Sequence, residues 1–212
     1  LLIVIGLALT AWPVYVATDS AIVQWSGRRQ LARAVQAAHN MPPGAAVQDQ
    51  SETIVVRKPG TAPASAVAPG TVLGQLEVPR LELSYVLLEG TDNRILDRSV
   101  GHVEGTGMIG SAGNISIAGH RDRHFRKLEW IHRDDQIVLA SSDGTRYVYR
   151  VEWSRLFKPG DIQVLDDSYG PAVTLITCFP FEYVGSAPLR LIIRALPDDS
   201  TRTRLVASAQ AH

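Results

Sequence analysis

From Leu73 to Ala195 the chain is a succession of short runs in which apolar residues alternate with polar ones, punctuated by Gly, Pro and Asp. A period of two sends successive side chains to opposite faces, the pattern of half-buried strands, and it leaves little of this region for helices. Gly74–Pro79 alternates, and Leu81–Leu88 resumes after the proline. Asn114–Ala118 alternates strictly and ends in Gly119-His120. Ile137–Ala140 leads to Asp143-Gly144, a two-residue hairpin signal because both turn positions favour positive φ. In the partner run, Tyr147, Tyr149, Val151 and Trp153 share one face, with Arg146, Arg150, Glu152 and Ser154 opposite. Ala172–Cys178 and Leu189–Ala195 follow, and one short helix is expected around His124–Ile131. Seven or eight strands with little helix predict a mainly-β domain, a closed barrel or a sandwich.

The chain before Leu73 has a different composition. Leu1–Ala17 carries no charge, and Trp12 and Tyr15 stand near its end, where amphipathic aromatics favour a membrane–water interface. The run is slightly short of the roughly 20 residues that span a bilayer. With no initiating Met before it, it reads as an N-terminal transmembrane signal anchor that lacks its first residues. A cleaved signal peptide would need a small residue where bulky Tyr15 sits. Ile22–His39 reads as a helical stalk bearing Arg28, Arg29 and Arg33, and Met41–Ala46 and Pro59–Gly70 are rich in Pro, Gly, Ala and Ser, a linker composition. The expected division is therefore an anchor at 1–18, stalk and linker at 19–71, a folded domain at 72–197 and a C-terminal tail at 198–212.

Charge excludes one class of partner: 21 basic residues balance 21 acidic ones with no basic stripe, so no nucleic acid is expected. The single cysteine, Cys178, rules out a disulfide within the chain. A lone thiol is either a small buried hydrophobe or a nucleophile, and the second role needs a histidine and a cation brought close by the fold. Cys178 ends one strand on a face with Thr174 and Ile176, and His120 ends another. On the last strand Leu191, Ile193 and Ala195 make an apolar face, so Arg190 and Arg194 both point the other way. If these strands are neighbours, either arginine lies near the thiol. A thiolate attacking an amide needs a proton donor for the departing amine and a donor for the developing oxyanion, and histidine and arginine suit those tasks.

Other polar clusters carry less. His120, Asp122 and His124, with His102 or Glu104, are residue types that bind zinc, but one histidine ends a strand and the other opens a helix. Their spacing does not make them converge, and no metal or cofactor is expected. Asp122 reads as a helix N-cap, and Arg121, Arg123, Arg126 and Lys127 as a solvated basic surface.

Thr174-Leu-Ile-Thr-Cys178 matches the TLxTC signature of sortases, and Arg190 opens the last strand where that family places an arginine. Ile117-Ala-Gly-His120-Arg-Asp matches the family's histidine motif, and Val78-Pro-Arg-Leu-Glu-Leu83 looks like its first-strand signature. The chain thus resembles the sortases, cysteine transpeptidases, from about Leu73 to Pro197 with the motifs in order. The resemblance implies an eight-stranded β-barrel with short helices and an enzyme that cleaves a C-terminal sorting signal of LPxTG type. Cys178 would be the nucleophile, His120 the general acid and then base, and Arg190 the oxyanion stabiliser. The thioacyl intermediate would pass to an amine on a cell-wall precursor or a pilin lysine. With the anchor, this implies a single-pass protein of the cell membrane whose catalytic domain is extracytoplasmic. The loop Phe179–Pro188 resembles classes D and E, being too short for the long calcium-responsive loop of class A. A membrane-anchored cysteine protease and a non-catalytic, envelope-binding β domain are the alternatives.

Overall fold

A computed structural model describes residues 67–159, 161, 170–183 and 185–210. Eight strands close into a barrel: β1 (Val72–Val78), β2 (Leu83–Glu89), β3 (Val100–His102), β4 (Asn114–Ala118), β5 (Gln136–Ser141), β6 (Arg146–Phe157), β7 (Ala172–Phe179) and β8 (Leu189–Pro197). Around the barrel the order is β1-β2-β3-β4-β7-β8-β6-β5. The β2–β3 and β4–β7 pairs are parallel and the others antiparallel. Closure leaves no strand edge to template aggregation, which settles the barrel over the sandwich.

The interior follows the period of two. Leu76 and Val78, Ile115 and Ile117, Ile137 and Leu139, Tyr149 and Val151, Val173 and Leu175, and Ile193 and Ala195 all point into one core. Each large aliphatic side chain removed from water there contributes roughly 1.5–3 kcal/mol. Phe125, Leu128, Ile131 and Phe181, from segments outside the strands, belong to the same core.

The Val78–Leu83 signature turns out to be a corner. Pro79–Leu81 forms a single 3-10 turn, Glu82 takes a left-handed conformation (φ 50°), and β2 starts antiparallel to β1. Arg80 fastens this corner with both ends of its guanidinium on Asp135, which also accepts from the His132 amide at 2.7 Å. The Arg80 hydrogen bonds hold the Asp135 carboxyl below the usual aspartate range.

Four expectations need amendment. The helix expected at His124–Ile131 is a 3-10 helix over Arg126–Trp130, and Phe125, not Asp122, stands at its N-cap position. The tail expected at 198–212 folds as a helix over Asp199–Gln210, whose Thr201 hydroxyl accepts from the Val148 amide at 2.7 Å and whose Leu205 is buried. Strand β3 and the helix Asn93–Arg98 had no counterpart in the sequence pattern. The basic cluster after His120 is largely engaged in ion pairs and loop contacts, described below. Of the anchor at 1–18 and the stalk and linker at 19–71, residues 1–66 lie outside the described residues. Among the described residues no helix is long and apolar enough to cross a membrane.

Candidate active site

The fold brings the ends of three strands to one rim. β4 and β7 run in parallel, so their C-termini emerge side by side, and β8 returns antiparallel to β7 from the same rim. In the β7–β8 register Cys178 pairs with Arg190, Ile176 with Ile192 and Thr174 with Arg194. Partners in an antiparallel register project from the same face. Arg190 therefore lies beside the thiol at the rim, while Arg194 sits opposite Thr174, deep in the strand and 5% exposed. That depth separates the two arginines that the alternation alone left equivalent.

His120 reaches the rim by an extension of the β4–β7 pairing. The Gly119 amide donates to the Ile176 carbonyl at 3.1 Å, and the buried Thr177 hydroxyl donates to the Gly119 carbonyl at 2.8 Å. A side chain at position 119 is excluded: a Cβ there would lie 2.7 Å from the Phe125 ring. The bare glycine lets the chain turn under itself, and the amide of Phe125 closes the turn on the His120 carbonyl at 3.0 Å. The Gly-His dipeptide is thus a packing requirement that delivers the imidazole to the thiol's side of the barrel.

Cys178, His120 and Arg190 line one cleft of about 310 Å³ with Arg121, Asp122, Gly185, Ser186 and Ala187. The Arg190 guanidinium is held by its own loop, Nη1 donating to the carbonyls of Ala187 (3.1 Å) and Leu189 (3.0 Å). Its remaining nitrogens are those that can meet a substrate oxygen. On its other side His120 presents Nε2 to Oδ1 of Asp97 at 3.5 Å, and the same oxygen accepts from Arg123 at 2.8 Å.

Asp97 went unmarked in the sequence. It sits on the helix Asn93–Arg98, six residues long with Ile95 its one buried residue, too short to show a period. One signal was available: Asp92 is its N-cap, its carboxylate accepting from the Ile95 amide at 3.0 Å.

The other members of the histidine-rich segment have separate roles. His124 is buried, packs edge-on against Tyr85 at 4.9 Å, and is pushed down to about 4 by burial, by His120 and by Arg123. His102 is buried in β3, in register with Ile117, with Nδ1 2.8 Å from Glu89. Among the described residues no three His, Cys, Asp or Glu side chains are placed to hold a metal ion.

Comparison with known proteins gives one answer. The sequence matches the sortase-domain family model over residues 76–198. Sortase D of Bacillus subtilis (strain 168) is 32% identical over 146 residues, 68% of this chain and 69% of that protein. The structure resembles that of a Clostridium perfringens sortase D5 transpeptidase, with TM-score 0.57 and 25% identity over 62% of this chain and 82% of the other. It also resembles a Clostridium perfringens sortase C solved with the C-terminal cell wall sorting motif, with TM-score 0.56 and 26% identity over 63% and 74% of the two chains.

Proposed function

Because the chain belongs to the sortase family of transpeptidases, we propose that Cys178 is its nucleophile, His120 its general acid and then base, and Arg190 its oxyanion stabiliser. The observation that carries this reading is the register pair Cys178–Arg190 at the rim where His120 opens onto the same cleft.

The Cys178 thiol passes its proton to His120, and the thiolate attacks the carbonyl carbon of the bond after threonine in an LPxTG-like signal. The carbonyl π pair moves onto oxygen, where the guanidinium of Arg190 accepts the developing charge. Such a donor typically accounts for a factor of about 10²–10³ in rate. As the tetrahedral species collapses, the C–N bond breaks, and the departing amine takes its proton from His120. The product is a thioester on Cys178. An acceptor amine then gives its proton to His120 and attacks the thioester, and the C–S bond breaks to release a new amide and the free Cys178.

A class D-like or E-like enzyme accords with the short β7–β8 loop and with the likeness to sortase D. Residues 1–18 serve as the membrane anchor in this reading, with 19–71 as stalk and linker. In the same reading, as for the sortases it resembles, the catalytic domain lies on the extracytoplasmic side, within reach of an amine on a cell-wall precursor or a pilin lysine.

The test is to incubate the 212-residue chain with LPxTG- and LPxTA-type peptides and an amine. An amine-linked product, absent with Cys178→Ala and cut by about 10²–10³ with Arg190→Ala, is expected. Release of free acid alone at high amine would favour the cysteine protease. No turnover of any peptide would favour the envelope-binding domain.

A further inference from the structure

The loop joining β7 to β8 forms one wall of the cleft through Gly185, Ser186 and Ala187. It is pinned from the segment that follows His120. The Arg121 guanidinium donates through Nη2 to the carbonyls of Tyr183 (2.5 Å) and Gly185 (3.0 Å). Five residues on, Arg126 bonds the Glu182 carboxylate and lies 5.8 Å above the Phe181 ring. Phe181 is itself buried in the core, edge-on to Phe179. Two arginines that look like a solvated surface in the sequence therefore reach across the cleft and hold its opposite wall.

These contacts differ from ordinary surface pairs. Arg121 bonds main-chain carbonyls, so what it fixes is the course of the loop. One of those carbonyls belongs to Gly185, whose φ of +97° marks a bend that side-chain-bearing residues rarely adopt. Arg121 is also bonded in sequence to His120, so general acid and cleft wall share one support. Both bonds leave the two N–H groups of one nitrogen, whose directions the guanidinium plane fixes, whereas the ammonium of lysine turns freely on its stem.

We propose that Arg121 is a positioning residue that sets the β7–β8 loop against His120 and so fixes the width of the substrate cleft, an inference that rests on the sortase reading of that cleft. It acts on binding of the sorting signal and acts on the reacting atoms only through the loop.

The experiment compares the wild-type chain with Arg121→Ala and Arg121→Lys by two readouts. Hydrogen exchange over the loop between β7 and β8 is expected to accelerate about ten-fold in Arg121→Ala, the scale of one charge-assisted hydrogen bond. Peptide KM is expected to rise about ten-fold, with kcat falling less than KM rises. Arg121→Lys is expected to fall short of wild type in both readouts. Unchanged loop exchange in Arg121→Ala would overturn the brace, as would a kcat collapse at constant KM, which would put Arg121 in the chemistry. Full rescue by lysine would reduce its role to charge. A wild-type chain that acylates no peptide would sink the transpeptidase site instead, with the exchange readout still deciding the brace.

Discussion

Replacing Asp97 by Asn or Ala tests how His120 is held. The carboxylate oxygen stands 3.5 Å from Nε2, and both side chains are about one-third exposed. Unit charges at that distance attract by about 1 kcal/mol in water and about 5 kcal/mol at an effective dielectric of about 20. The exposure puts the pair near the lower figure, as does Arg123, which draws on the same oxygen at 2.8 Å. The carboxylate therefore favours an imidazolium formed during turnover by about 1 kcal/mol, or about five-fold in rate. Steady-state transfer of a sorting-signal peptide to an amine is the assay. About a five-fold loss of kcat is expected for both variants, with KM little changed because Asp97 does not line the cleft that holds Cys178. A loss above about a hundred-fold would refute the screened-pair argument, and no loss would show the contact to be idle.

Three further outcomes follow from the geometry. His102 Nε2 faces the Gly107 carbonyl at 2.9 Å and donates to it, and Nδ1 lies 2.8 Å from the buried Glu89 carboxyl. Glu89→Ala should cost about 3 kcal/mol in urea unfolding and Glu89→Gln about 1 kcal/mol or less, because an amide can still donate to Nδ1; equal costs would contradict this. His124 is held neutral in the folded chain, its pKa about 4, and is protonated more readily once unfolded. The folded state then binds fewer protons between about pH 6.5 and pH 4, so stability is full above that window and falls across it by up to about 3 kcal/mol. His124→Gln should flatten this part of the stability profile, and an unchanged slope would place the acid sensitivity elsewhere. Thr177→Val removes the hydroxyl that bonds the Gly119 carbonyl and should lower stability by about 1–2 kcal/mol, read as a drop in Tm; an unchanged Tm would count against that bond as a support of His120.

The legible parts of the fold were those with a long local period. Most of the longer strands declared themselves by alternation, Ile137–Ala140 by the Asp143-Gly144 turn that follows it, and strict alternation in Asn114–Ala118 placed His120 at a strand end. Strand β3 has three residues, all buried, and so has no alternation to read. The segment after His120 looked helical because Phe125, Leu128 and Ile131 recur at spacing three, which a 3-10 turn satisfies as well as an α-helix. At the site, alternation put Arg190 and Arg194 on one face, and only the register with β7 set one beside the thiol and the other deep in the strand. Arg121 and Asp97 act across 62 and 23 residues of sequence, to Tyr183 and His120. Nothing local marks such contacts; they exist because β4, β7 and β8 share a rim.

The central claim is that Cys178 becomes acylated by a sorting signal. The most direct measurement is the intact mass of the 212-residue chain after incubation with an LPxTG-type peptide and no amine, quenched in acid and mapped by digestion. The account predicts a mass gain equal to the peptide up to its threonine less one water, carried on Cys178 and released by hydroxylamine. A chain that cleaves the peptide with no adduct, or with the adduct on another residue, would contradict it.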